Sequence, residues 1–429
     1  MKHSTPLFLT IVLVGIALVG EVISPNDIPP LILILTLLGF LSFIFFKVRV
    51  SDEDRKVLSN IFIIGLFIRL FLAIMFNAYV EATVFAGDDR AYEWVGSRLA
   101  KYWETGNYCL LPRTYVDKIP YTIYNGVIYY ILGHAPLVPK VINCFVGSFI
   151  AIYIFFITKH LFSRKAAILA ALLTQFFPSL ILWSTLNLKE ALMIFALVLV
   201  IWKIITLQAE FRPLSLVLLL LPIMIIYYLR PYVLIFLFLS IIISTLIISE
   251  RRKFFRNLTI IGIILLVGIG LLGQLGFKER FAQAVVFERI DTLRAGITSY
   301  GGSAFYSDVD ISTPTNALKF LPIGIIYFLF APFPWVIRGF RYILTLPEIL
   351  LWYFLFFKAI GGIHFTIRNK FRESAIILIF LVLLTTTYSL VLGNIGVAYR
   401  FRAQALPFFL ILAAVGIVER KDGKEIRLP

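Results

Sequence analysis

The chain has 429 residues, 60% hydrophobic and 16% aromatic, with a formal net charge of +16. Soluble domains average nearer half apolar. The excess here is gathered in repeated runs of about 15–20 apolar residues, the length a helix needs to cross a bilayer, so an ordinary soluble protein is excluded. In a soluble chain the positive charge would suggest nucleic acid. Here most Lys and Arg stand in short loops between the runs, where they set topology and meet anionic headgroups.

Lipid offers the backbone no hydrogen-bond partners, so the apolar runs are expected to be helices. In chain order, spans are expected at residues 6–23, 31–46, 61–79, 137–157, 166–183, 191–205, 214–228, 231–248, 258–275, 344–360, 375–392 and 405–418. The first run has no small-residue cleavage pattern and the second follows at once, so it reads as a span rather than a signal peptide. The fold class is therefore an all-α polytopic membrane protein of about 12 transmembrane helices.

The basic clusters test this count. Lys47, Arg49, Arg55 and Lys56 follow the second span; Lys159, Arg164 and Lys165 the fourth; Arg251, Arg252, Lys253 and Arg256 the eighth. Arg368, Lys370 and Arg372 follow the tenth, and Arg420, Lys421, Lys424 and Arg427 the last. All fall on one side if both termini are cytoplasmic. That requires two apolar stretches not to cross. Residues 121–133 are too short to span easily, and residues 320–335 are broken by Pro322, Pro332 and Pro334. Both read as interfacial or re-entrant segments on the outer face. Two long outer loops result, near residues 80–136 and 276–342. With no soluble domain appended, chemistry is expected at the outer surface.

The first outer loop carries Gly87-Asp88-Asp89-Arg90-Ala91-Tyr92, followed by a predicted helix through Trp103. Paired carboxylates at the lipid–water boundary can supply a general base for an acceptor hydroxyl; equally, either aspartate can simply N-cap the helix. The last outer loop reads Gly393-Asn394-Ile395-Gly396-Val397-Ala398-Tyr399-Arg400-Phe401-Arg402. Arg400 and Arg402 run against the charge bias and suit a phosphate clamp, or snorkel to headgroups. For Arg230, between the seventh and eighth spans, snorkelling is the favoured reading. Lys189 and Glu190, with Asn187, open the sixth span as a charged cluster that also serves as an ordinary helix start. Arg69 lies within the third span, where an arginine is either functional or a structural partner. Cys109, Cys144 and the scattered histidines form no metal or disulfide pattern, and no nucleotide-binding or serine-hydrolase motif is present.

The order of these features resembles the C-fold glycosyltransferases, which include protein O-mannosyltransferases and the aminoarabinose transferase of lipid A. The Asp88-Asp89-Arg90-Ala91-Tyr92 stretch is similar to the family's acidic motif, with an acidic pair and a tyrosine, in its first outer loop. The likeness continues through residues 121–133, the span from Val138, Leu161-Phe162-Ser163-Arg164, Phe177-Pro178-Ser179 and on to Glu190. It resumes at Tyr399-Arg400-Phe401-Arg402 and Pro407. It implies a GT-C-like bundle that moves a sugar from a polyprenyl-phosphate carrier to a glycan, lipid or protein acceptor. It assigns the catalytic aspartate to Asp88 and the neighbouring acid to Asp89. Arg400, Arg402, Arg230, Lys189, Glu190, Tyr92 and Tyr399 become contacts for the substrate and lipid phosphate. Residues 1–57 then read as a two-helix addition to a catalytic domain at 58–429.

The chemistry is coherent. A lipid phosphate is already a good leaving group and needs charge neutralisation, which arginines supply. The acceptor hydroxyl needs a base, and a single base opposite the leaving group predicts inversion. No cofactor is demanded, although a carboxylate pair can hold a divalent cation beside a phosphate. The expected setting is a prokaryotic plasma membrane, with no nucleic-acid partner. Two alternatives stay open. One is a lipid-pyrophosphate-linked polysaccharide polymerase or ligase, which Arg280, Arg289 and Arg294 of the second loop would suit. The other is a lipid or solute transporter, against which stand the lack of an internal repeat and the placing of the unusual charges at the surface.

Overall fold

The computed structural model describes residues 25–79, 87–106, 119–210, 213–248, 303–306, 309–336 and 340–422, with Gly262 and Arg294. These residues form fifteen α-helices: α1 (Ile28–Arg49), α2 (Asp52–Tyr79), α3 (Asp88–Glu104), α4 (Ile119–Leu132), α5 (Leu137–Leu161), α6 (Arg164–Phe176), α7 (Pro178–Thr185), α8 (Glu190–Ala209), α9 (Pro213–Leu229), α10 (Pro231–Ile248), α11 (Pro314–Phe330), α12 (Phe340–Asn369), α13 (Phe371–Val391), α14 (Ile395–Arg402) and α15 (Leu406–Asp422). Among the described residues the one piece of sheet-like pairing is an isolated bridge between Ala304 and Asn394.

The chain is thus an all-α polytopic membrane protein. Helices α1, α2, α5, α8, α12 and α13 are long and apolar enough to cross a bilayer, and the bent pairs α6–α7 and α14–α15 bring the number to eight. Shorter apolar helices at Leu214–Leu229, Pro231–Ile247 and Pro314–Phe330 accompany them. Every expected span that falls on described residues is an apolar helix or a bent pair. The expected span at 6–23 lies outside the described residues, as does that at 258–275 apart from Gly262.

Three local expectations change. The span at 166–183 is two helices meeting at 51°. Pro178 crowds the residue before it out of the helical region, and Phe177 is accordingly extended (φ −70°, ψ 123°). The stretch at 320–335 is not broken at Pro322, which lies inside α11; the helix ends at Ala331 instead. A proline costs a helix one hydrogen bond, and tertiary packing can carry that cost. The segment at 393–402, expected as a loop, is largely helical: Asn394 accepts from the Gly396 and Val397 amides and so caps α14, which meets α15 at 63°.

The described residues fall into two compact units. The first takes those up to Phe149 together with Leu180–Leu192, and the second takes Ile150–Ser179 and those from Met193 on. In the first, Arg55 donates to the Phe46 and Val50 carbonyls and ties down the α1–α2 turn. Phe45, Phe46, Phe62 and Phe149 meet edge to face or tilted between α1, α2 and α5. Arg69 is buried in α2; its Nε donates to Ser184 Oγ at 2.9 Å and its Nη1 to the Gly65 carbonyl at 3.2 Å. This intramembrane arginine is therefore a structural staple between α2 and α7. Helices α3 and α4 approach closely at Gly96, where a β-carbon would fall 2.6 Å from Asn125 Cβ. In the second unit, α12 and α15 cross backbone to backbone at Gly362 and Gly416, and α13 packs on α10 and α11.

Candidate active site

The first unit gathers polar groups from several helix ends. Asp89, in the first turn of α3, is fully buried. Its Oδ2 accepts from the Asn187 amide at 3.3 Å and stands 3.8 Å from Lys140 Nζ. Lys140, in the first turn of α5, also donates to Asn77 Oδ1 at 3.0 Å in the last turn of α2. Asn187, just before α8, donates through Nδ2 to Asn125 Oδ1 of α4 at 2.9 Å. Asn143 Nδ2 binds Tyr121 Oη at 3.0 Å and the Leu186 and Leu188 carbonyls at 2.9 Å each. The carbonyls left over where α7 stops short of α8 are satisfied by this one amide.

The network is rich in acceptors. Asp89 Oδ1, Asn143 Oδ1 and Asn187 Oδ1 are buried and have no hydrogen-bond partner among the described residues. A buried acceptor with no donor costs about 1–3 kcal/mol, so this cluster holds unmet hydrogen-bonding capacity beside the acidic pair. Asp88, one residue earlier, is half-buried. Glu93 lies one turn further along α3, 3.6 Å from His134. Burial pushes its carboxyl above the usual carboxylate range, and Asp89 adds to this, while Lys140, His134 and Arg90 oppose it.

The other expected contacts of this unit are more enclosed. Tyr92 is buried and meets the Tyr121 ring edge-on at 4.7 Å, so it packs α3 against α4. Glu190 is buried at the start of α8, beside half-buried Lys189.

In the second unit, Arg402 is buried, and its Nη1 donates to the Leu329 and Ala331 carbonyls at 2.6 and 3.0 Å. Its guanidinium also lies over Trp352 and Tyr399. Tyr399 donates to Glu348 Oε2 at 2.7 Å. Arg230 is buried and stacks 3.7 Å over Phe401, so it faces inward rather than snorkelling. Arg400 is half-buried and has the more open position. Arg294 donates to the carbonyls of Leu390, Leu392, Phe305 and Tyr306. With four carbonyls on one guanidinium it is a structural clamp, which removes an argument for the polymerase alternative; Arg280 and Arg289 lie outside the described residues.

Sequence reasoning missed Lys140, Asn143, Asn125 and Glu348. The signal for Lys140 and Glu348 was present: a lone ionisable residue near an apolar span is a functional candidate by default. The asparagines carry no such mark, because their significance lies in partners about 40 to 60 residues away. Among the described residues, no three His, Cys, Asp or Glu side chains come together as a metal site.

Together these features define a multi-pass helical membrane protein with its polar chemistry gathered at helix ends. The family model for dolichyl-phosphate-mannose-protein mannosyltransferase matches residues 125–272, about a third of the chain. The matched segment contains Asn125, Lys140, Asn143, Asn187, Glu190 and Arg230; the acidic pair on α3 and the arginines of α14 lie beyond it. The match supports a membrane glycosyltransferase of the C-fold type. No curated protein matches the chain.

Proposed function

We propose that the protein transfers a sugar from a polyprenyl-phosphate carrier to an acceptor hydroxyl at the outer face of the membrane, with Asp88 as the base. The observation that carries this reading is the acidic pair in the first turn of α3, with Asp89 buried in a polar network and Asp88 at its more open edge. Asp88 is the accessible member of the pair, and Asp89 is held by Asn187 and Lys140. Asp89 is therefore read as the residue that positions the α3 terminus, with Tyr92 and Tyr121 packed behind it.

In the proposed step the acceptor oxygen attacks the anomeric carbon and its proton passes to the Asp88 carboxylate. The bond from that carbon to the phosphate oxygen breaks, and polyprenyl phosphate leaves as the anion. Attack opposite the leaving group inverts the anomeric centre. Arginine and lysine supply the charge stabilisation, so the proposal invokes no metal. Residues 1–57 are read as an addition to the catalytic domain at 58–429, and the setting as a prokaryotic plasma membrane with both termini in the cytoplasm.

The test is sugar release by the purified protein from a panel of polyprenyl-phosphate sugars. Asp88→Asn is expected to lower kcat by about 10²-fold or more with Tm unchanged. Full activity of Asp88→Asn, with loss in Asp89→Asn at unchanged Tm, would transfer the base to Asp89. No turnover of any donor in the panel would overturn the reading of the carrier.

A further inference from the structure

Within the second unit, α11, α12, α13 and α15 enclose an apolar groove of about 550 Å³. It runs from Leu329 and Phe356 past Phe409 and Leu412 to Ile367 and Phe371. Its lining includes exposed Ile367 and Phe371, and Val382 at 64% exposure, so the groove opens sideways from the unit. Along α13 the lining extends from Phe371 to Thr386, about 22 Å at 1.5 Å per residue. That is the proportion of a single extended hydrocarbon chain.

The two ends differ in charge. At the Phe371 end, the α12–α13 turn carries Arg368, Lys370 and Arg372, all exposed, against the single acid Glu373. The turn is held by backbone bonds from the Lys370 amide to the Thr366 carbonyl and from the Ser374 amide to the Lys370 carbonyl. At the Leu329 end, Arg402 is buried and already bonded to the Leu329 and Ala331 carbonyls. The exposed basic turn at Arg368, Lys370 and Arg372 suits an anionic headgroup.

We infer that this groove is a binding site for an anionic phospholipid, one acyl chain lying between α11, α12, α13 and α15 and the headgroup phosphate held by Arg368, Lys370 and Arg372. The occupant is a bulk lipid of the leaflet beside the basic turn, distinct from the sugar carrier. The inference rests on the membrane location alone and stands whether or not the proposed reaction is correct. The site would tie the packing of α12 and α13 to the surrounding lipid.

The test is native mass spectrometry of the full-length protein in detergent with added phosphatidylglycerol or phosphatidylcholine. The wild type is expected to retain phosphatidylglycerol in preference. Each basic residue near an anionic headgroup is worth roughly fivefold in affinity. The triple variant Arg368→Gln, Lys370→Gln, Arg372→Gln, all at exposed positions, is therefore expected to lose the preference by about tenfold to a hundredfold. Val382→Trp, an exposed lining position, is expected to lower retention of both lipids by filling the groove. Equal retention of the two lipids by the wild type, or an undiminished preference in the triple variant, would overturn the inference. So would displacement of phosphatidylglycerol by equimolar polyprenyl phosphate, which would make the groove the carrier's seat.

Discussion

Lys140 and Asp89 show how one residue pair commits several elements at once. Their carboxylate and ammonium groups are almost wholly buried and 3.8 Å apart. Removing one partner from such a pair leaves an uncompensated charge and costs about 3–5 kcal/mol. Lys140→Met is therefore expected to lower stability by roughly that amount, read as a large fall in Tm in detergent. Adding Asp89→Asn to Lys140→Met removes the stranded charge and should recover most of the loss. A double variant no more stable than Lys140→Met would show that the pair does not interact as an ion pair. This experiment also separates a positioning role for Asp89 from a catalytic one, because activity need not return with stability.

At the scale of elements, helix ends and glycines decide the geometry. The acidic pair can sit deep because α3 lies close against α4 at Gly96 and Gly126. Gly96→Ala would put a β-carbon 2.6 Å from Asn125 Cβ. Real β-carbons do not approach so closely, and Asn125 is bonded to Asn187, so the clash propagates into the polar network. The expected cost is about 1–3 kcal/mol, together with a loss of turnover larger than that of Ser97→Ala on a half-buried position of the same helix. Equal activities of the two variants would argue that the α3–α4 spacing is not used by the site. Helix ends elsewhere leave polar backbone that side chains satisfy: Asn143 takes the Leu186 and Leu188 carbonyls after α7, Asn394 caps the start of α14, and Arg402 takes the Leu329 and Ala331 carbonyls at the end of α11.

For the whole molecule, the charge distribution makes a prediction about sidedness. The basic turn at Lys370 is expected inside and the start of α3 outside. In a Cys109→Ser background, with Cys144 buried, Lys370→Cys should react with a membrane-impermeant maleimide only from the cytoplasmic side. Arg90→Cys, on an exposed position of α3, should react only from the outside. The reverse pattern would invert the topology and place the proposed reaction in the cytoplasm. Labelling of both positions from one side would change the number of spans between them.

Composition and hydropathy were enough to determine that this is a polytopic helical membrane protein, and very nearly where its described helices run. Burial in lipid is written into long apolar runs, because each must cover its own backbone. The candidate acids on α3 were also legible, as charges beside an apolar span. Only the tertiary structure decided how those residues are used. It turned Tyr92, Arg402 and Arg69 inward as packing and carbonyl partners, and it brought Lys140, Asn187, Asn125 and Asn143 into one network with Asp89. The physical reason is that a polar side chain's role depends on which donors and acceptors meet it. In this chain those partners come from helix ends far apart in sequence, where no local pattern records the pairing.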